Sequence, residues 1–112
     1  MVKKYIPQKG DIILLDFNQQ SGHEQAGYRP ALVISPKIYN AKMGLSLVCP
    51  ITSKQKGFGF ETPLGPGGKI QGTVLSDQLK SVDWKVRKAK FVEKADPKIT
   101  QEVVEKVLPI II

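Results

Sequence analysis

The sequence predicts a mainly β protein, a small SH3-like β-barrel that carries one α-helix at its C-terminal end. Most of its apolar runs have the length of a strand, and Gly, Pro and Asn residues separate them. Only one stretch, near the C-terminus, has apolar residues at clear helical spacing. A strongly curved sheet with this helix laid on it is the simplest way to bury both apolar surfaces. A chain of 112 residues has the length of one domain, so residues 1–112 are expected to form a single unit.

Three very apolar strands come first in the chain and are expected to form the centre of the core. Proline or glycine precedes each of them, and these residue types favour the turns at which strands begin. A short helix or turn is expected between the second and third strands, at residues 36–42. The three strands are residues 11–17 after Pro7 and Gly10, residues 31–34 between Pro30 and Pro36, and residues 45–51 after Gly44.

Three further strands are expected in the second half of the chain, which makes six in all. Residues 59–62 form the first of them, and residues 72–79 form the next, after the turn Gly65-Pro-Gly-Gly68. Residues 89–92 alternate between apolar and polar side chains, which is typical of a strand with one buried face.

The C-terminal helix has a recognisable start and end. Asp96 is a good N-cap and Pro97 suits the first helical position, because its missing N–H is not needed there. Glu102 and Lys106 form a favourable i,i+4 pair, and Pro109 is expected to end the helix. Its apolar face consists of Ile99, Val103, Val104, Val107 and Leu108.

The net charge points to an acidic partner. The chain has 17 Lys and Arg residues against 10 Asp and Glu, which gives +7. Such an excess is typical of proteins that bind polyanions, because each neutralised phosphate releases counterions, so nucleic acid is the first candidate. The alternative is a lysine surface that serves only solubility.

Several classes of protein are excluded by composition. The single cysteine, Cys49, cannot form an internal disulfide, and it lies in an apolar strand without an activating neighbour, so a core position is expected. No Cys and His residues have the spacing of a zinc site, and neither a metal nor another cofactor is expected. No apolar run approaches the roughly 20 residues of a membrane helix, and the N-terminus has no apolar signal core. A cytoplasmic protein without membrane contact is therefore expected.

Residues 17–30 form a long polar loop between two very apolar strands. Loops of this kind are mostly functional or disordered. This one contains His23, Glu24, Gln25 and Tyr28, and then Arg29, which is one of two arginines in the chain.

Two other segments place polar groups at the ends of strands. Residues 50–58 lead from a buried strand into hydroxyl groups and two lysines, and residues 76–84 interrupt an apolar strand. Hydroxyl, guanidinium, carboxylate and carboxamide groups from the three segments are able to converge on a phosphate.

Six short motifs follow one another along the chain. They are Pro7-x-x-Gly10-Asp11 before an apolar strand, Glu24-Gln-Ala-Gly-x-Arg-Pro-Ala-Leu-Val-Ile-Ser-Pro36, Tyr39-Asn40, Cys49-Pro-Ile-Thr-Ser53, Lys56-Gly57, and Ser76-Asp-Gln-x-Lys-Ser81 with Trp84. Their order and spacing are more specific than any one of them. With these motifs, the chain resembles the MazF/PemK-like toxins of type II toxin–antitoxin systems over nearly its whole length.

The resemblance implies a sequence-specific, metal-independent endoribonuclease that cleaves single-stranded mRNA and so inhibits translation. It implies the same SH3-like barrel, assembled as a homodimer with RNA in a groove across the dimer. It also implies a MazE-like antitoxin whose acidic tail occupies that groove. Cleavage of RNA without a metal uses the 2′-OH as nucleophile and gives a 2′,3′-cyclic phosphate and a 5′-OH end.

The resemblance also implies which residues act. Arg29 and Thr52 match the central catalytic pair of the family, and Glu24 matches a further residue that affects activity. An arginine fork grips two phosphate oxygens and stays protonated, Thr52 would position the phosphate or the 2′-OH, and Glu24 is the candidate base. Residues of the same three segments are expected to contact RNA: Gln25, Tyr28, Ser53, Lys54, Lys56, Asp77, Gln78 and Lys80.

Several alternatives remain open at this point. Tyr28 stands where the family often has histidine, so an imidazole is missing there, and His23 is a candidate to compensate. Asp77 and Gln78 are also suited to satisfying backbone groups at a strand end. Trp84 is either an anchor that contacts the antitoxin or a residue that fills the core. For the whole protein the rival function is non-catalytic, because barrels of this type also serve as binding modules for DNA gyrase or for RNA in general.

Overall fold

The computed structural model describes residues 4–17, 27–54, 57 and 59–112. The part of the chain so described is mainly β with a C-terminal helix, as predicted, and none of its helices is long and apolar enough to cross a membrane. A 3₁₀ turn, Ser76–Gln78, lies between the fifth and sixth of its strands. The elements are β1 (Asp11–Asp16), β2 (Tyr28–Val33), α1 (Lys37–Met43), β3 (Leu45–Thr52), β4 (Glu61–Pro63), β5 (Thr73–Leu75), β6 (Lys80–Asp83), β7 (Lys90–Lys94) and α2 (Pro97–Ile111).

The strands form one antiparallel sheet in the order β4-β5-β3-β2-β1-β7, and β6 also pairs with β3. The long strand β3 is central, because its C-terminal residues pair with β5 and its N-terminal half with β6. Among the described strands, β4 and β7 at the two ends of this order do not pair, so the barrel is open.

The strand predicted at residues 72–79 is wrong in its second half, because β5 ends at Leu75 and the 3₁₀ turn Ser76–Gln78 follows; β6 comes after this turn and is a seventh strand beyond the six predicted. Ser and Asp side chains compete with a strand ladder by bonding to nearby backbone, which favours a turn at this point. The N–H of Ser76 donates to the carbonyl of Phe60 at 3.0 Å, and this bond to a distant part of the chain fixes the start of the turn. Consequently Asp77 and Gln78 lie in a projecting turn instead of within a strand.

Alternation along the strands divides the core between the two faces of the sheet. In β1, for example, Ile12 lies on one face, and Ile13 and Leu15 lie on the other. The helix-side cluster, which α2 covers, contains Ile12, Leu32, Cys49, Ile51, Val74, Ala95, Val103 and Val107. The far-side cluster contains Ile13, Leu15, Ala31, Val33, Val48 and Val82.

The helix α2 begins as predicted but ends later than predicted. The carboxylate of Asp96 accepts a hydrogen bond from the N–H of Lys98 at 2.9 Å, and the Glu102–Lys106 ion pair forms at 2.9 Å. Pro109 does not end the helix, which runs to Ile111. Proline lacks the N–H that would continue the helix at its own position. The chain beyond it nevertheless keeps helical bonding, since the N–H of Ile112 donates to the carbonyl of Leu108 at 3.1 Å.

Asn40 is the centre of a fully buried polar network. Its amide donates to the carbonyls of Pro7 at 2.8 Å and Ser35 at 3.1 Å, and its side-chain oxygen accepts from the hydroxyl of Ser35. The indole N–H of Trp84 donates to the Asn40 carbonyl at 2.9 Å. Trp84 is buried and therefore fills the core. Through its bonds to Pro7, Ser35 and Trp84, the network ties α1 to three other segments of the chain.

Asn40→Ala is expected to lower the free energy of unfolding by about 2–4 kcal/mol, because it leaves two buried carbonyls without a donor. The urea midpoint measures this loss. Gln101→Ala is the matched control, since it removes an amide from the exposed face of α2, and a change within about 0.5 kcal/mol is expected for it. Equal midpoints for the two variants would contradict a structural role for Asn40.

Candidate active site

Arg29 and Thr52 both lie close to the point where β2 and β3 stop pairing. The paired residues are Ala31 with Pro50, Leu32 with Cys49 and Val33 with Val48. Arg29 and Thr52 each lie two residues beyond the last of these pairs, and Thr52 pairs with Thr73 of β5 on its other side.

Alternation also puts the two side chains on the same face of the sheet. In a strand every second side chain lies on the same face, so Arg29 lies on the face of Ala31 and Thr52 lies on the face of Val48. Ala31 and Val48 both belong to the far-side cluster. Arg29 and Thr52 therefore leave the sheet where its apolar core ends.

Two adjoining pockets occupy this end of the sheet. The larger, the Thr52 pocket, has a volume of about 340 Å³, and the smaller, the Arg29 pocket, about 140 Å³. The Thr52 pocket is lined by Thr52, Lys54, Phe60, Glu61, Leu75, Asp77 and Gln78. The Arg29 pocket is lined by Leu15, Phe17, Arg29, Pro30, Ala31, Val48, Pro50, Gln78 and Lys80.

Gln78 belongs to both pockets and is the wall between them. It holds this position because the 3₁₀ turn carries it, together with Asp77, out of the line of β5 and β6. A ligand that passes Gln78 is therefore able to touch Thr52 on one side and Arg29 on the other.

Thr52 is half-buried at the end of β3 and is held by the chain that follows it. The N–H of Lys54 donates to Thr52 Oγ1 at 3.1 Å. This bond uses a lone pair of the hydroxyl and leaves its proton for another acceptor, such as a phosphate oxygen. Behind the residue, the backbone of Gly72 passes so close that a Cβ there would lie 2.4 Å from the Thr52 carbonyl oxygen.

Each of the two pockets is lined by at least one cation, and the Thr52 pocket is also lined by Glu61 and Asp77. Lys54 lines the Thr52 pocket, and Lys80 lines the Arg29 pocket beside the guanidinium group of Arg29. All three of these side chains are exposed to solvent. The site therefore offers several positive charges to an anion that spans both pockets.

Two expected contact residues lie elsewhere. By alternation Tyr28 faces the other side of the sheet from Arg29, and the ammonium group of Lys90 lies 4.4 Å from its ring centroid. Ser53 lines a separate, open depression with Gly72 and its neighbours. Expected residues Glu24, Gln25 and Lys56, and His23 with them, lie outside the described residues.

Cys49 is a core residue, as predicted. Burial, with a smaller effect from the charge of Asp77, raises the pKa of its thiol to about 12, so the thiolate is not formed near neutral pH. Among the residues that the structure describes, no three His, Cys, Asp or Glu side chains form a group that could hold a metal ion.

Sequence reasoning missed two contributors to this site. Phe60 lies outside the three polar segments that the sequence indicated, yet it is 40% exposed and lines the Thr52 pocket. Gly72 gave one signal, a glycine as the first residue of a predicted strand, but its approach to Thr52 depends on the pairing of β3 with β5.

The fold and the site together define a class of protein, the MazF-type toxins. The chain is similar to the structure of MazF from Deinococcus radiodurans, with 41% identity, a TM-score of 0.85, and coverage of 96% of this chain and 97% of that one. It is also similar to MazF in a MazE–MazF structure from the same organism, with 39% identity, a TM-score of 0.88, and coverage of 95% and 96%.

The chain belongs to the family of PemK-like, MazF-like toxins of type II toxin–antitoxin systems, whose family model matches residues 8–111. The expected family is thereby confirmed. The endoribonuclease toxin MazF of Escherichia coli (strain K12) is 47% identical over 89 residues, which are 80% of this chain and 79% of that protein. The endoribonuclease toxin ChpB of the same strain is 40% identical over 107 residues, 91% of each chain.

Proposed function

We propose that this protein is an endoribonuclease toxin that cleaves single-stranded mRNA, inhibits translation and is neutralised by a cognate antitoxin. The observation that supports the proposal is that Thr52 lines one pocket, Arg29 lines another, and both pockets share Gln78. Relatives at 47% and 40% identity are named endoribonuclease toxins, which supports the same activity.

The proposed reaction needs no metal ion. The 2′-OH of the RNA attacks the adjacent phosphorus, the bond to the 5′ oxygen of the next nucleotide breaks, and a 2′,3′-cyclic phosphate and a 5′-OH end result. Negative charge builds up on the phosphate oxygens, and the bidentate guanidinium of Arg29 is placed to stabilise it. The hydroxyl of Thr52 accepts a hydrogen bond from the N–H of Lys54 and donates a hydrogen bond to the same phosphate. This contact fixes the position of the phosphate.

Proton transfer is assigned to the loop that precedes β2. Glu24 is proposed to take the proton of the 2′-OH, and a water molecule to give a proton to the leaving 5′ oxygen, because the guanidinium of Arg29 stays protonated. Glu24→Gln removes the basic carboxylate and keeps its size. Full cleavage by this variant would remove Glu24 from the role of base.

The proposed partners follow from the charge and the exposed surface. The net charge of +7 suits both RNA and an acidic antitoxin tail, and the MazE–MazF structures of the Deinococcus radiodurans relatives show such a toxin with its antitoxin. A homodimer of single-domain protomers is proposed as the working unit, for which Ile110, Ile111 and Ile112 offer exposed apolar surface. The cytoplasm, where mRNA is translated, is the proposed location.

The test is to incubate the purified protein with a long single-stranded RNA in excess EDTA and to follow the fragments. Wild type is expected to cut at a small set of sites, and Thr52→Val to cut about 100-fold more slowly, because only the hydroxyl is lost. Thr100→Val is the matched control: this buried hydroxyl in α2 has no hydrogen-bond partner among the described residues and lies away from both pockets. Intact RNA with wild type would favour a binding module and contradict the proposal.

A further inference from the structure

The ion pair of α2 also holds the strand β4. The ammonium group of Lys106 donates to the carboxylate of Glu102 at 2.9 Å. It also donates to two atoms of β4, the carbonyl of Glu61 at 2.7 Å and the hydroxyl of Thr62 at 3.0 Å. The Thr62 hydroxyl in turn donates to the Glu102 carboxylate at 3.1 Å. These groups form the β4 anchor: the side chains of Thr62, Glu102 and Lys106 and the carbonyl of Glu61.

The β4 anchor is complete and partly buried. An ammonium group has three N–H donors, and each of those of Lys106 has one acceptor here. Thr62 is 1% exposed. Hydrogen bonds from Lys106 and then from Thr62 lower the pKa of the Glu102 carboxyl, so the carboxylate is ionised near neutral pH. An exposed ion pair alone stabilises little, but this one bonds a buried hydroxyl and a strand carbonyl to the helix.

The strand β4 has little else of its own to hold it. It contains only three residues, Glu61–Pro63, and among the described strands it pairs with β5 alone. Short two-stranded pairs are marginally stable unless another element packs on them. The helix α2 contacts both β4 and the 3₁₀ turn that follows β5. The bonds from Lys106 are therefore a substantial part of what fixes the start of β4.

The start of β4 is also a wall of the Thr52 pocket. Phe60, the residue before the strand, and Glu61, its first residue, both line this pocket. The carboxylate of Glu61 accepts the N–H of Gly57 at 3.0 Å, which ties the connection that follows Thr52 to the same point. Among the described residues, none of those that line the pocket belongs to α2. Lys106 therefore lies behind the wall and holds it from outside.

We propose that Lys106 is a positioning residue for RNA cleavage: from α2 it holds the start of β4, and with it the wall of Phe60 and Glu61, in the position that receives RNA. This inference rests on the proposed function. Without the β4 anchor, the wall is correctly placed in only a fraction of the molecules, and the apparent affinity for RNA falls by that fraction. The reaction step is preserved, because Arg29 and Thr52 are held by β2 and β3.

Lys106→Met tests the β4 anchor, because it removes the three donated bonds and keeps an apolar stem of similar length. Single-turnover cleavage of a short RNA with one mapped site, at increasing protein concentration, gives the half-saturating concentration and the maximal rate. The half-saturating concentration is expected to rise about fivefold, and the maximal rate to stay within about twofold of wild type. Lys98→Met is the matched control: it removes the same charge from the exposed first turn of α2, and both values are expected to stay within about twofold.

Thr62 tests the same anchor without a change of charge. Its side chain is buried, so it does not touch RNA. Thr62→Val keeps the shape of the side chain and removes the hydroxyl that joins Lys106 to Glu102, and the half-saturating concentration is expected to rise about threefold. Thr62→Ser keeps the hydroxyl, and the wild-type value is expected.

Two further measurements on Lys106→Met separate positioning from other roles. Amide hydrogen exchange without RNA is expected to become faster over residues 59–63 and to stay unchanged over residues 45–52, because only the start of β4 is released. The salt dependence of the half-saturating concentration is expected to keep its wild-type slope, because no phosphate contact is lost.

The outcomes distinguish this inference from the proposed function. No cleavage by wild type would overturn the proposed function and the positioning role with it. Cleavage by wild type with an unchanged half-saturating concentration in Lys106→Met would overturn only the positioning role. A fall of about 0.7 in the salt slope would also overturn it, because Lys106 would then bind a phosphate itself. Equally faster exchange over residues 45–52 would overturn it as well, because the variant would then have lost overall stability.

Discussion

Arg29→Lys is expected to reduce RNA cleavage by about 100- to 1,000-fold although the positive charge is kept. A lysine ammonium is a point charge and cannot hold two phosphate oxygens in the plane of a fork. Arg29 is exposed at the end of β2, so the fold is expected to be unaffected. Single-turnover cleavage of a short RNA with one site measures the loss, and the urea midpoint confirms that the variant is folded.

The matched control separates this role from general attraction of RNA. Lys98→Ala removes a full positive charge from the exposed first turn of α2, and cleavage within about twofold of wild type is expected. If the Arg29→Lys variant cleaves RNA at more than about a tenth of the wild-type rate, a bidentate contact with the phosphate is not required. The proposed role of Arg29 would then be wrong.

Gly72→Ala is expected to cost about 3 kcal/mol of unfolding free energy and to impair cleavage by the protein that remains folded. The φ angle of Gly72 is +131°, which L-residues rarely adopt. A Cβ at this position would lie 2.4 Å from the carbonyl oxygen of Thr52 and 3.0 Å from its carbonyl carbon. The end of β3 must therefore move, and Thr52 must move with it.

Gly67→Ala is the control for the strain alone. Gly67 lies in the same connection between β4 and β5 and has a φ of +98°, and no atom of the described residues lies within 4 Å of the place that a Cβ would take. A loss of about 1 kcal/mol without a change in the cleavage rate of the folded protein is expected. Equal cleavage rates for the two folded variants would contradict the positioning of Thr52 by Gly72.

Local signals in the sequence were sufficient for most of the fold. The apolar runs around Ile13, Leu32 and Val48 predicted the central strands, because a buried strand needs only a few consecutive apolar residues between turns. Asp96 and Pro97 predicted the start of α2, because capping depends on neighbouring residues alone.

The strand break at Ser76 and the end of α2 differ from the prediction for different reasons. The break at Ser76 depends on a hydrogen bond to Phe60, 16 positions earlier in the chain, which periodicity does not reveal. The helix passes Pro109 because the N–H groups after it still find carbonyls one turn back.

The candidate site was less accessible to local reasoning. The polar loops indicated three segments that contain candidate site residues. The choice of Arg29 and Thr52 as a catalytic pair came from a family resemblance, because the packing of the whole sheet sets the strand register and local sequence does not reveal it. The structure adds the same-face placement of the pair and the position of Gln78 between the pockets. It also turns Tyr28 towards Lys90, on the face away from Arg29.

The most direct test of the proposed chemistry is a single 2′-deoxy substitution in the RNA. An oligoribonucleotide with one mapped cleavage site is compared with the same molecule lacking only the 2′-OH on the 5′ side of the scissile phosphate. If the 2′-OH is the nucleophile and the Arg29 and Thr52 pockets hold the phosphate, the deoxy substrate still binds but stays uncut, and the ribose substrate gives a 2′,3′-cyclic phosphate in EDTA. Cleavage of the deoxy substrate at the same bond would contradict this mechanism.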